Sequence, residues 1–172
     1  MKKYDVFISY SRKDKIIVSE ITRLLDASSI TYWVDTEKIH MGGEFMADIV
    51  DAIENSTITL FISSYDSNNS IYTAKEVALA FNAGKYIIPY KIDNSSFCKK
   101  LQFVMTDLNC IDAIPYSEQK AQSLVADIKA LLYGDRKEEI FNIEKREYID
   151  VRRWNEPQSK FLRFIKRIFE DK

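Results

Sequence analysis

Short runs of strand-forming residues alternate with segments of helical periodicity along most of this chain, and that order restricts its fold more than any other feature. Tyr4-Asp5-Val6-Phe7-Ile8-Ser9 reads as a buried strand, followed by polar residues from Tyr10 to Asp14. Between Lys15 and Ser28, apolar residues at 17, 18, 21, 24 and 25 share one helical face. Ile30 to Val34 predicts a second strand, 35 to 44 a loop carrying Gly42 and Gly43, and 45 to 55 a helix. A third strand is expected over Thr57 to Ile62, ending in the polar tract from Ser63 to Ser70. Ser70 can cap a helix reaching Ala83, and Gly84 suits a left-handed stop behind it. Tyr86 to Ile92 predicts a fourth strand, 93 to 107 an irregular or loosely helical stretch, and Leu108 to Ile111 a short fifth strand. Ser117 to Tyr133 predicts a closing helix ended by Gly134. The result is an α/β expectation: a five-stranded, mostly parallel sheet with helices on both faces. Units this short favour the strand order 2-1-3-4-5.

Composition narrows the function classes. A chain of 172 residues suits one domain with an accessory element, and 46% hydrophobic residues suffice for a core. Lys and Arg number 25 against 26 Asp and Glu, so nothing global draws the chain to nucleic acid or an anionic membrane. One His and two Cys build neither a four-ligand zinc site nor a disulfide scaffold, and no metal is expected. No window approaches the roughly 20 apolar residues of a membrane span, and MKKYDVFISYSRKD lacks a secretory core, so a cytoplasmic location is expected. GxGxxG and GxxxxGK[ST] are both absent, which removes the Rossmann fingerprint and the P-loop. His40 is alone in its loop, and Cys98 and Cys110 have no neighbouring His to activate a thiol.

Residues 135–172 differ in kind from residues 1–134, the expected domain. They carry eleven Lys and Arg against nine Asp and Glu. Phe161, Leu162, Phe164, Ile165, Ile168 and Phe169 form an apolar stripe bordered by basic residues. This helical extension could dock on the domain or on a second copy, or serve a membrane surface or partner.

In open parallel sheets, ligands bind beyond the carboxyl ends of the strands where the strand order reverses, here between the first and third strands. The connections there are polar: Ser9-Tyr10-Ser11-Arg12 and Ser63-Ser64-Tyr65-Asp66. The helix after Ser70 places Tyr72 and Glu76 on one face. By pattern alone Glu76 reads first as a solvated acid near a helix start, where the helix dipole favours it.

Four strings in register resemble the Toll/interleukin-1 receptor (TIR) domain family: FISYSRKD (Phe7–Asp14), YWVDTEKIHMGGEF (Tyr32–Phe45), TITLFISSYDSNNS (Thr57–Ser70) and YTAKEVALAFNAGKYIIPYKID (Tyr72–Asp93). The likeness spans residues 4 to about 133 and implies a flavodoxin-like sheet, in agreement with the periodicity. It implies that Glu76 is the catalytic glutamate of NAD-cleaving members, with an aromatic residue four positions before it. That residue is usually Trp and here is Tyr72. Arg12 matches a basic residue beside the nucleotide pocket. Residues 35–39 with 42–45 correspond to the BB loop, which makes domain–domain contacts and closes over the nicotinamide end of NAD.

The resemblance therefore implies an NAD⁺ nucleosidase or ADP-ribosyl cyclase of prokaryotic type, serving defence against phage. Catalysis falls to Glu76, and substrate binding to Ser9, Tyr10, Arg12, Trp33, Asp35, Lys38, Phe45, Ser64 and Tyr72. Self-association falls to Glu37, Ile39, Gly42 and Gly43. NAD⁺ is the substrate and no separate cofactor is expected. Partners are further copies of the domain and a separate sensor or effector protein. The chemistry is coherent: a carboxylate against the ribose steadies oxocarbenium charge, flat rings stack on aromatics, and Arg12 and Lys38 offset the pyrophosphate. Trp33 and Phe45 are equally readable as core. A second reading is a scaffold or adaptor that recruits other TIR domains through the BB loop without chemistry.

Overall fold

The computed structural model describes residues 3–34, 43–106 and 108–134. Five strands, β1 (Tyr4–Ser9), β2 (Tyr32–Val34), β3 (Ser56–Ser63), β4 (Tyr86–Lys91) and β5 (Ile111–Asp112), form one sheet in the order β2-β1-β3-β4-β5. Every pairing is parallel. The helices are α1 (Lys15–Ala27), α2 (Gly43–Glu54), α3 (Tyr65–Asn68), α4 (Ile71–Asn82), α5 (Lys99–Met105) and α6 (Glu118–Tyr133). Order and direction match the expectation, and the carboxyl ends of β1 and β3 lie side by side. The expected extension at 135–172 lies outside the described residues. Among the described residues, no helix is long and apolar enough to cross a membrane.

Alternation of side chains along the strands sorts the core into two layers. Val6, Ile8, Ile58, Leu60 and Ile62 pack with α1 and α6, while Phe7, Phe61 and Ile87 pack with α2, α4 and α5. Burial of each such side chain contributes about 1.5–3 kcal/mol. β3 lies between β1 and β4, and seven of its eight residues are buried. This is the continuous apolar character that a parallel strand covered on both faces requires.

The helix ends follow local chemistry. Ser70 accepts a hydrogen bond from the Thr73 amide and caps α4. Gly84, at φ 65°, closes it: the Gly84 amide bonds to the Phe81 carbonyl and the Lys85 amide to that of Ala80, a Schellman pair. α1 ends in a related way, with Ser29 at φ 57° and the Ile30 amide donating to Leu25. That closure holds residues 28–30 at the helix end, so β2 begins at Tyr32 and not at Ile30.

Two further differences have physical causes. Lys99–Met105, expected to be irregular or loosely helical, is an ordered helix because Leu101, Val104 and Met105 bury one face beside α4. The fifth strand falls at Ile111–Asp112 and not at 108–111: Leu108 turns into the α4/α5 cluster, leaving Ile111 and Asp112 to pair with Tyr90 and Lys91.

Candidate active site

The site grows from the ends of β1 and β3. Ser9 shares the Phe7 side of β1, the side covered by α4, and is buried at 1% exposure. Its hydroxyl donates to Glu76 Oε2 at 2.6 Å. Glu76 sits beside Val77 at the margin of the buried face of α4 and is half-buried. The carboxylate is thus held against the end of the central strands at the switch in strand order, where an α/β sheet offers a ligand crevice.

A lattice of short polar side chains fixes the loops around it. Asp14 Oδ2 accepts from the Ser64 hydroxyl at 2.6 Å and from the Ser67 hydroxyl at 3.0 Å. Ser67 Oγ in turn accepts from the Ser11 amide at 2.8 Å. The turn after β1 is thereby tied to the turn after β3, and an exposed Lys13–Asp66 ion pair at 2.7 Å crosses the same gap. Thr73 Oγ1 donates to the Ser67 carbonyl at 2.6 Å, which joins this lattice to the first turn of α4. On its far side Ser63 donates to Asn68, and Asn68 donates to the Ser95 hydroxyl. Asp93 accepts from the Tyr65 and Ser95 amides. Burial would push its carboxyl up, but these hydrogen bonds and the charge of Lys91 outweigh burial and hold it below the ordinary value.

The structure brings together only part of the expected substrate-binding set. Ser9 faces Glu76, and Tyr72, one turn before Glu76 on α4, is 65% exposed. Arg12 is exposed in a 3₁₀ turn, Arg12–Asp14, beyond β1. Tyr10 is partly buried against the α1/α6 cluster, on the opposite side of the sheet from Glu76, because it alternates with Ser9. Trp33 stacks on buried Phe7 at 5.0 Å between ring centroids, so that contact belongs to the core. Ser64 is 4% exposed, and its hydroxyl both donates to Asp14 and caps α3 by accepting from the Ser67 amide. Its hydroxyl thus takes part in the internal lattice that ties the two turns together.

Asp35, Glu37, Lys38, Ile39, His40 and Gly42 lie outside the described residues. Gly43 opens α2 and Phe45 stands in its first turn, with its side chain outside the described set. Asp14 and Ser67 were not among the expected site residues. Asp14 stands directly before a helix, where a carboxylate reads as a local cap, and nothing in sequence links it to serines 50 and 53 positions away. Among the described residues, no cluster of three or more His, Cys, Asp or Glu is placed to hold a metal ion.

The same architecture recurs in solved structures. The TIR domain of the Toll-related receptor TRR-2 from Hydra magnipapillata superposes with a TM-score of 0.60 at 22% identity, over 74% of this chain and 99% of that one. The TIR domains of the activated Roq1 resistosome, which directly recognizes the pathogen effector XopQ, give 0.58 at 16% identity, over 73% and 99%. The Clostridium botulinum CMP N-glycosidase BcmB gives 0.52 at 18% identity, over 70% and 97%. At these identities the likeness is one of fold. No curated protein matches the chain. The sequence itself matches the TIR domain over residues 6–125, a span running from β1 into α6. On that match, made independently of the strand order, the chain belongs to the TIR domain family.

Proposed function

We propose that this TIR domain cleaves the bond between nicotinamide and ribose in NAD⁺, with Glu76 as its catalytic carboxylate. The observation that supports this reading most is the placement of Glu76: half-buried on α4, hydrogen-bonded to the end of β1, at the switch point of the sheet. Nicotinamide leaves with the electron pair of the C1′–N bond and departs neutral. The cation it carried passes to the ribose as an oxocarbenium ion. A carboxylate at that ring stabilises the developing charge and holds the sugar hydroxyls, and such electrostatic preorganisation is worth about 10²–10³ in rate per group. Water adding at C1′ and losing a proton gives ADP-ribose; attack by an adenine nitrogen gives a cyclic product. Tyr72 offers an aromatic face one turn from the carboxylate, suited to a flat base.

Two neighbours support the setting. BcmB, described as a CMP N-glycosidase, carries sugar–base cleavage on a similar sheet. The Roq1 resistosome, which directly recognizes a pathogen effector, contains TIR domains. In this reading the chain acts in defence against phage, by depleting NAD⁺ or releasing a cyclic ADP-ribose-type signal, and assembly through residues 35–45 switches it on.

The test is incubation of the purified chain with NAD⁺ over a wide range of protein concentration, with nicotinamide release and product masses followed together. Turnover with specific activity rising with concentration is expected. Activity surviving Glu76→Ala rejects the catalytic assignment, and no turnover even in concentrated, crowded protein leaves the scaffold reading.

A further inference from the structure

We infer that Ser9 is a positioning residue: its hydroxyl fixes the orientation of the Glu76 carboxylate toward the sugar and makes no contact with the substrate. The inference rests on Glu76 being the catalytic carboxylate and assigns a role to the group that holds it.

The geometry is that of a strong hydrogen bond. At 2.6 Å, the Ser9 Oγ to Glu76 Oε2 distance lies in the range of a hydroxyl donating to an ionised carboxylate. A serine hydroxyl has one proton to give. With that proton directed at Oε2, Ser9 has none left for a ribose hydroxyl, and at 1% exposure it is closed to solvent. The hydroxyl at the end of β3 does not duplicate the role. Ser63, two residues beyond the Phe61 that pairs with Ser9, is fully buried and donates to Asn68.

What Ser9 is attached to matters as much as the bond. β1 is paired on both sides, to β2 and β3, so the donor stands on a strand that cannot shift without breaking two ladders. The start of α4 is anchored separately, through the Ser70 cap and the Thr73 hydroxyl on the Ser67 carbonyl. Backbone anchoring alone leaves a glutamate with three rotatable side-chain bonds. Ser9 supplies a fixed point at the far end of that side chain, 67 residues away in sequence. Catalytic groups need placement this close, since a displacement of 1 Å can cost about 10² in rate.

The roles separate kinetically. In Ser9→Ala, kcat for nicotinamide release is expected to fall by about tenfold to a hundredfold with KM within about twofold, the pattern of an interaction that matters in the transition state. Ser9→Thr, which keeps the hydroxyl, restores most of kcat. A raised KM at unchanged kcat means that Ser9 binds substrate, and an unchanged kcat means that it positions nothing; either overturns the inference. A second readout needs no turnover: side-chain NMR relaxation of ¹³C-labelled Glu76. The side chain is expected to be ordered in the parent protein, mobile in Ser9→Ala and ordered again in Ser9→Thr. Equal order in all three contradicts the inference whether or not NAD⁺ is cleaved. Loss of the catalytic reading alone appears differently, as turnover that survives replacement of Glu76.

Discussion

Towards α1 and α6 the sheet presents an almost unbroken hydrocarbon surface, with Val6, Ile8, Ile58, Leu60 and Ile62 meeting Ile21, Leu25, Leu124 and Ile128. Towards α2, α4 and α5 it presents Phe7, Phe61 and Ile87, but Ser9 and Ser63 stand at the strand ends and both bond to side chains beyond the sheet. One layer is optimised for burial. The other gives up apolar contact at its carboxyl end to hold a carboxylate there. Polar groups carried into a protein interior are tolerated when their hydrogen bonds are made: Ser9 bonds to Glu76 and Ser63 to Asn68, while the Thr59 hydroxyl, in register between Phe7 and Ile87, is buried without a partner. A change in the first layer is thus expected to cost stability, and a change at the carboxyl end of the second to cost chemistry.

The largest effect on folding is expected in the hydrocarbon layer. Leu124→Ala on α6 removes a fully buried side chain and is expected to lower stability by about 2–5 kcal/mol, while activity per folded molecule stays unchanged. Chemical denaturation read beside turnover checks this, and a loss of activity exceeding the loss of folded protein would break the division between the layers. A smaller cost is expected at Asp14→Ala, which strands the buried Ser64 and Ser67 hydroxyls at about 1–3 kcal/mol. Asp14→Asn retains an accepting oxygen and is expected to recover most of that loss in the same unfolding curves.

The smallest effect concerns the one polar defect of the α1/α6 layer among the described residues. The Tyr90 hydroxyl is buried without a hydrogen-bond partner. Burial, with the Glu20 carboxylate adding to it, pushes the phenol up to about 12 from an ordinary value of 10.0. Between those values the unfolded chain releases the proton that the folded chain keeps, so stability is full below pH 10 and falls as pH rises towards 12. Tyr90→Phe is expected to change stability at neutral pH by less than about 1 kcal/mol and to reduce the alkaline loss, as melting temperatures across pH 8–12 would record. An alkaline loss unchanged in Tyr90→Phe would show that other groups cause it.

Much of this was readable in the sequence. Unbroken apolar strands, the Ser70 cap and the Gly84 stop depend on neighbours within a few residues, so local pattern carries them. Helical spacing from Tyr72 and the strand order place Glu76 near the crevice, but only the resemblance to the TIR family marks it as a catalytic candidate. What sequence could not convey were partners 50 to 67 residues apart: Ser9 turned to Glu76, and Ser64 taken up by Asp14. Tyr10 and Trp33 show the same gap from another side. An aromatic residue near a crevice is equally good as a stacking surface or as core, and only the alternation of β1 and the Phe7 contact assign these two. The α5 helix was obscured because its apolar face spans barely two turns, too few to distinguish from an irregular stretch.

In the proposed function, the carboxylate at position 76 drives cleavage of a sugar–base bond. The most direct measurement of that cleavage is nicotinamide released from NAD⁺ by the parent protein and by Glu76→Gln at equal concentrations of folded chain. The substitution preserves the size of the side chain and an acceptor for the Ser9 hydroxyl, while removing the charge. A fall of about 10³-fold with an unchanged melting temperature is the predicted result. Equal release by the two proteins would contradict the account.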